Sequence, residues 1–447
     1  MTINQAFLYI ESFTNLERNI GPTMRPYRLD RMTALLDYFD HPEDGYSKIH
    51  VAGSKGKGST AAFISRILEA GGFKTGLYLS PHVVSYRERI TLAGVEMPDE
   101  VYIDQIVYMK DKIESMDPEL LPGQSKPTTF ELLTLLSFLI FKNMECKWAV
   151  IETGIGGRLD ATNVIHPVAA VITPIELEHT EVLGTAIPQI AAEKAGIIKQ
   201  DIPVFIGVQK RDAKDMLVKT AAEKNAACFP LNEHLVDTHA EYGNHGTGIR
   251  LKWKDSTINT ATLKMLGDFQ IENAALACLV CRQLFKKIGI STTEANKLIS
   301  EGLGRARLPG RMEVIQSNPD IILDGAHTPA SVKRLCTSLA RQYPQNRILL
   351  FGSVLGKNAT SMAKLLAPHF ESIIVSTPGT FKMSDPRSVY EQYKKYSKQV
   401  ELKLDPSEAL ERALELAGNT IPILVTGSFY MVSEIRKLIV KTPVLKI

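Results

Sequence analysis

One local pattern recurs along the chain: a short apolar run that does not alternate with polar residues, followed by a helical pattern. "KIHVAG" leads into "STAAFISRILEAGG", a helix ended by Gly71 and Gly72, and "KTGLYLS" is the next apolar run. "TTFELLTLLSFLIFKNM" feeds "WAVIE" at 148–152, and "VAAVIT" at 168–173 precedes a helix around "AIPQIAAEKAGII". Strands that are apolar on both faces and alternate with helices pack as a parallel sheet covered on both sides. Between about 230 and 265 the texture changes to polar, short-strand sequence, "GIRLKWKDSTINTATLKML", and the helix "FQIENAALACLVCRQLF" follows. Beyond "GLGRARLPGR" at 302–311 the first rhythm restarts with "DIILDGAH", "RILLFGS", "ESIIVST", "VELKLD" and "IPILVTGS", each with a helix after it. A chain of 447 residues is too long for one core. The expectation is two α/β units, a doubly wound parallel sheet over 1–304 and a smaller Rossmann-like domain over 305–447.

The first strand-to-helix turn reads "HVAGSKGKGST". It departs from the usual phosphate-loop order G-x-x-x-x-G-K-[ST], because Val51 stands at the first glycine and Gly58 follows Lys57. Geometry matters more than letter order. Gly53, Gly56 and Gly58 let backbone N–H groups approach phosphate oxygens, and the helix N-terminus adds partial positive charge. Lys57 is placed for the β- and γ-phosphates, with Ser59 or Thr60 at the helix start for Mg²⁺. The bland alternative is a glycine-rich turn with solvated lysines and an ordinary cap. Glu152, ending "WAVIE", sits where a phosphate loop's partner carboxylate meets the metal. "TGIGGRLDATN" follows it and lacks the third glycine of a dinucleotide fingerprint, because Leu159 occupies that place. Asp160 and Asn163 are equally readable as turn caps. In "ITPIELEHTEVLG", Glu176, Glu178 and His179 again follow a strand, which makes His179 a candidate ligand.

Composition removes several classes. The formal charge is +3, near balance, which gives no support for a nucleic-acid or membrane partner. No apolar run reaches the roughly 18 residues of a membrane span, and "LLTLLSFLIF" has buried-helix length. "MTINQAFLYIESF" lacks the basic start of a signal peptide, and five scattered cysteines suit a reduced, cytoplasmic setting. Cys278 and Cys281 form a lone C-x-x-C inside a helical apolar pattern, so core packing is expected of them. A P-loop switch protein would need a base-reading N-K-x-D segment, and a dehydrogenase would need G-x-G-x-x-G. Neither occurs.

"HVAGSKGKGST", "LSPHVVSYRERI", "IETGIGGRLDATNV", "EHTEVLGTAIPQIAAEKAGIIK", "LPGRMEV", "LDGAHTP" and "GSFYMVSEIR" occur in this order from about residue 20 to about 436. In order and spacing they resemble the folylpolyglutamate synthase/dihydrofolate synthase family of the Mur ligase superfamily, ATP-dependent amide ligases. G-x-x-G-K-G-S is that family's own P-loop variant. The resemblance implies that Gly53 to Thr60, including Ser54 and Lys55, line ATP, with Lys57 as the phosphate lysine. It implies a first Mg²⁺ at Ser59 and Glu152, a second at His179, and a Lys194 that is carbamylated. Carbamylation would give Lys194 an anion able to hold a cation. Without the resemblance, an exposed helix lysine paired with Glu193 or a neighbour is the simpler reading. Asn273 and Arg311 resemble nucleotide contacts, and Asp324 with His327 resembles the second domain's hold on ATP. Ser80, Pro81 and His82, with Arg87 in the same stretch, resemble the substrate side, and Asp160 is expected to face the pterin ring.

The implied reaction joins L-glutamate to folate or dihydropteroate through an acyl phosphate, releasing ADP and phosphate, in a monomer. A peptidoglycan-precursor ligase of the same superfamily is the alternative, but "SPHVVSYRERI" and "GGRLDATN" match the folate branch. The chain departs from the family at Ser54-Lys55 for Thr-Asn, Glu178 for Asp, Thr328 for Asn, and Gly356 and Asn358 around Lys357. None of these touches Lys57, Glu152, His179 or Lys194.

Overall fold

The apolar runs form strands, and the strands form three sheets. The computed structural model describes residues 1–15, 29–123, 126–380 and 382–440. The first part of the resembling stretch, residues 20–28, lies outside them. The larger sheet has seven strands in the order β3-β2-β4-β1-β5-β6-β7. These are β1 (Ser47–Ala52), β2 (Thr75–Tyr78), β3 (Ile90–Leu92), β4 (Trp148–Glu152), β5 (Ala169–Ile172), β6 (Val204–Ile206) and β7 (Cys228–Pro230). All neighbours run parallel except β3, which is antiparallel to β2 at the edge. The register pairs Val51 with Glu152, so the strand entering the glycine loop ends beside the carboxylate that ends β4.

Each face is apolar because each is covered. Ile49, Val51, Val150 and Val171 pack under the helices Lys57–Ala70 and Asp268–Lys287. Ala149 and Ile151 pack under the helix Thr129–Asn143, which Thr128 and Glu131 start with a reciprocal cap: Thr128 N donates to Glu131 Oε2 at 2.7 Å and Glu131 N to Thr128 Oγ1 at 3.2 Å. Cys278 and Cys281 are fully buried in this core, and all five cysteines are free. Among the described residues, no helix is long and apolar enough to cross a membrane.

The polar stretch after β7 forms an antiparallel sheet, β10-β9-β8, from β8 (Leu235–Gly243), β9 (Gly246–Trp253) and β10 (Ile258–Leu263). Its central strand β9 alternates in burial, as a sheet with one solvated face requires. The third sheet has the order β11-β12-β16-β13-β14-β15, from β11 (Glu313–Gln316), β12 (Ile321–Leu323), β13 (Ile348–Phe351), β14 (Ser372–Val375), β15 (Val400–Leu402) and β16 (Ile423–Thr426). It is parallel except at β11.

The glycine-rich stretch at 302–311 is not all linker. Its first residues complete the helix Thr292–Arg305, and Gly302 is where that helix crosses Lys57–Ala70. A Cβ at Gly302 would lie 2.4 Å from Ile67 Cα, so the glycine permits a close helix crossing. Residues 306–312 then connect to β11. The helix Pro329–Gln342 of the third sheet rests on the antiparallel one: the Tyr343 hydroxyl beyond its end donates to Asn244 O at 2.7 Å, and Arg341 pairs with Asp268 at 2.8 Å.

Candidate active site

The loop between β1 and the helix Lys57–Ala70 is pinned from below. Ser54 N and Lys55 N both donate to Pro174 O, at 3.0 and 3.1 Å, and the Ser54 hydroxyl donates to Glu176 O at 3.1 Å. Gly56, at φ 87°, is the helix N-cap, and a Cβ there would lie 2.2 Å from Asn273 Oδ1. Asn273, held by Gln270 Oε1 at 3.0 Å, thus packs directly against the loop. No side chain caps this helix, so its first N–H groups are open to an anion. Lys57 leads the first turn and donates to Gly53 O at 3.1 Å. Gly58 faces Glu152, since its Cβ would sit 3.4 Å from Glu152 Oε2, while Ser59 and Thr60 are buried just beyond.

Glu152 is 4% exposed and accepts from Ser80 N at 3.0 Å. Burial raises its pKa, against the pull of Lys57 and the Ser80 bond. The side-chain hydroxyls of Thr60 and Thr153 are buried with no protein partner among the described residues. Uncapped amides, a buried carboxylate and orphaned hydroxyls around one lysine fit a phosphate and its cation.

Lys194 reaches this cluster from the helix Ile187–Ala195. It is 1% exposed and donates to Gly53 O at 2.8 Å and to Glu178 Oε1 at 3.0 Å. The surface-lysine reading is therefore excluded. Glu193 pairs instead with Arg158, at 2.8 Å. Burial, with Lys57 adding repulsion, lowers the Lys194 pKa to about 8. Burial alone would raise Glu178, but Lys57, Lys194 and Lys55 together bring it below the usual carboxylate range. Lys55 lies 3.8 Å from Glu178, which makes Glu178 the shared counter-ion of two lysines. His179, in the left-handed region at φ 47°, caps the short turn Thr180–Leu183, and burial lowers its pKa. Its Nδ1 lies 3.9 Å from Glu181, and its side chain remains 44% exposed.

The third sheet contributes from the other side. Arg311 stacks over Phe429 at 4.4 Å and lies between the charges of Asp324 and Glu152. Asp324 accepts one backbone N–H on each oxygen, from Met312 N at 3.0 Å and Ala326 N at 2.9 Å. The His327 Nδ1–H donates to Gly325 O at 2.8 Å, and burial lowers its pKa to about 4. Two departures from the family pattern have plain structural uses. Thr328 Oγ1 accepts from Ser331 N and caps the helix Pro329–Gln342, and Asn358 caps the helix Ala359–Leu366 in the same way. Gly356 lies at φ 81°.

Two expected substrate contacts are otherwise engaged. Asp160 does not face an open pocket. It is 5% exposed and accepts from Gly154 N, Ile155 N, Thr162 N and the Thr162 hydroxyl, at 2.9, 3.1, 3.0 and 2.5 Å. Four donors make it the internal pin of its own loop, since hydrogen bonds to a carboxylate are stronger than those to a neutral acceptor. Arg87 pairs with Asp99 at 2.6 Å and Glu96 at 3.1 Å. His82 accepts at Nδ1 from Arg89 Nε at 2.9 Å and stacks on Tyr86 at 4.3 Å, while Pro81 is exposed beside it. Sequence reading missed Arg334, whose guanidinium pairs with Glu176 across the two units. Nothing in "ASVKRLCTSLA" distinguishes it from a solvated helix arginine. It also missed His50, although a histidine inside an apolar strand is itself a signal.

Residues 51–281 match the Mur ligase middle domain, and residues 310–429 match the Mur ligase glutamate ligase domain. The chain is 33% identical over 413 residues to the dihydrofolate synthase/folylpolyglutamate synthase of Bacillus subtilis (strain 168), covering 92% of this chain and 94% of that one. It is 32% identical over 440 residues to the folylpolyglutamate synthase of Lacticaseibacillus casei, covering 98% of each. Among solved structures, Mycobacterium tuberculosis folylpolyglutamate synthase complexed with ADP and AMPPCP superimposes with a TM-score of 0.84 at 27% identity, over 98% of this chain and 99% of that one. An FPGS–AMPPCP–folate complex does so with a TM-score of 0.82 at 29% identity, over 98% and 100%.

Proposed function

This chain belongs to the Mur ligase family, and on that premise we propose that its site joins L-glutamate to a folate-type carboxylate while ATP is split to ADP and phosphate. The protein is an ATP-dependent acid–amino-acid ligase of the folylpolyglutamate synthase/dihydrofolate synthase type. The observation that carries the residue assignment is the cluster of Lys57, Glu152 and Lys194 at an uncapped helix N-terminus. A carboxylate oxygen of the acceptor attacks the γ-phosphorus in line, the bond to the β-phosphate oxygen breaks, and ADP leaves. The amine of L-glutamate then attacks the acyl carbon, loses its proton, and phosphate departs.

In this reading the chain's own task is positioning and charge neutralisation. Lys57 and the first amides of the helix Lys57–Ala70 hold the phosphates. Ser59 and Glu152 hold a divalent cation, and His179 with Lys194 a second one. Mg²⁺ bound there supplies Lewis-acid neutralisation of the phosphate and carboxylate oxygens. Asn273 and Arg311 face the nucleotide, Asp324 and His327 hold the loop of the second unit, and residues 305–311 serve as its hinge. Carbamylation of Lys194 is part of the proposal. It needs the neutral amine, and a pKa of about 8 leaves about a tenth of it neutral at pH 7, far more than for an ordinary lysine. The working protein is taken to be a cytoplasmic monomer that binds small molecules and neither nucleic acid nor membrane.

The experiment is ADP release by purified protein with ATP, Mg²⁺ and L-glutamate, run in parallel with dihydropteroate and tetrahydrofolate. Release that requires either acceptor supports the reading, and its pattern assigns first-glutamate addition, tail extension or both. Absence of release with both acceptors, despite tight ATP binding, overturns folate as the acceptor.

A further inference from the structure

We propose that His50, Thr162 and Asp160 form a one-directional hydrogen-bond relay that fixes the loop after β4, and with it the position of Glu152 relative to the phosphate loop. The positioning role rests on the reading of Glu152 as a metal carboxylate given above, while the relay itself does not.

His50 lies in β1, is fully buried, and sits in register beside Ile151 of β4. A polar ring in an apolar strand is costly unless it is bonded. Its Nε2 lies 2.8 Å from Thr162 Oγ1, which lies 2.5 Å from Asp160 Oδ1. The direction of each bond follows from counting protons. Asp160 receives three backbone N–H groups and the Thr162 hydroxyl, which fill its four lone pairs and leave no place for a proton. Thr162 has one hydroxyl proton, and it goes to Asp160. Thr162 can then only accept from His50, so His50 carries its proton on Nε2. The remaining ring nitrogen, Nδ1, is left as a bare lone pair, buried and without a partner among the described residues. Burial, helped by Lys199, holds the ring neutral, with its pKa lowered to about 3.

The two ends of the relay matter because of what they are attached to. His50 stands three residues before Gly53, in the strand that delivers the glycine loop. Gly154 and Ile155, which Asp160 grips, are the second and third residues beyond Glu152. The relay thus ties the strand that carries the phosphate loop to the chain that carries the metal carboxylate, at a point where Glu152 has only the Ser80 amide as a hydrogen-bond partner among the described residues. His50, Thr162 and Asp160 touch no substrate in this account and are positioning residues.

The test uses the full chain. Nitrogen-15 NMR of labelled histidine is expected to show His50 as the neutral Nε2–H tautomer in the wild type and in Thr162→Ser, with the hydrogen-bonded shift lost in Thr162→Val. Mn²⁺ binding in the presence of ADP, read by electron paramagnetic resonance, should weaken about tenfold in Thr162→Val and recover in Thr162→Ser. An Nδ1–H tautomer in the wild type would overturn the relay even if Thr162→Val failed to fold. A folded Thr162→Val with unchanged Mn²⁺ affinity would overturn the positioning role. Both readouts are independent of the acceptor, so failure of the folate reading leaves them decisive.

Discussion

The two parallel sheets end in very different ways. At the carboxyl ends of β1, β4 and β5 the side chains are charged, buried or half-buried, and only partly satisfied: Lys57 and Lys194 share Gly53 O, Glu178 serves two lysines, and the Thr60 and Thr153 hydroxyls have no partner among the described residues. At the carboxyl ends of β12, β13 and β16 the polar groups bond their own backbone. Asp324 takes two amides, the Ser428 hydroxyl donates to Gly352 O at 2.8 Å and the Thr426 hydroxyl to Ala326 O at 3.3 Å. One end leaves charged groups facing one another beside a helix N-terminus, and the other keeps its loops in shape. In the proposed reaction the same sheet architecture serves two tasks, and the phosphoryl chemistry belongs to the first.

The sharpest way to break this comparison is to disable the first end. Lys57→Ala and Glu152→Ala should each lower ADP formation by about a thousandfold or more with the fold retained by circular dichroism. Retained turnover in either would remove the P-loop assignment. Lys194→Ala should cost about a hundredfold and recover in part with added short carboxylic acids. Full activity without rescue would return Lys194 to a packing role.

Changes at the second end should be smaller. Asp324→Asn sets an amide group against the Met312 and Ala326 N–H donors, at about 1–3 kcal/mol, and should lower thermal stability more than kcat. A kcat loss as deep as that of Lys57→Ala would mean that Asp324 acts on the reacting groups. Arg334→Gln removes the ion pair with Glu176 that joins the second unit to the loop holding Ser54. The expected effect is a few-fold rise in the ATP KM, shrinking with salt because the pair is partly exposed. A salt-independent change would point to packing instead.

The parts that were legible in the sequence are those written locally. Apolar runs gave their strands because burial on both faces demands continuous hydrophobicity, and "GSKGKGST" marked a strand-to-helix turn whose glycines bring the loop against Thr173 and Asn273. Lys194 was legible only through resemblance, since its burial depends on Gly53 and Glu178, which are distant in the chain. For Asp160 the turn-cap reading is the one the structure supports, and its full set of donors was not legible until the amides of Gly154 and Ile155 were seen to turn back on it. The close packing at Gly302 was not legible because a glycine that admits a neighbouring helix is indistinguishable in sequence from one that ends a helix. Arg334 was invisible because its partner, Glu176, belongs to the other unit.

The most direct test of the central claim follows an oxygen atom. With heavy oxygen in the acceptor carboxylate, turnover with ATP and L-glutamate should carry the label into the released phosphate, since the acceptor oxygen bonds to phosphorus and leaves with it. Unlabelled phosphate, with product formed, would contradict an acyl phosphate and the account of the first sheet built on it.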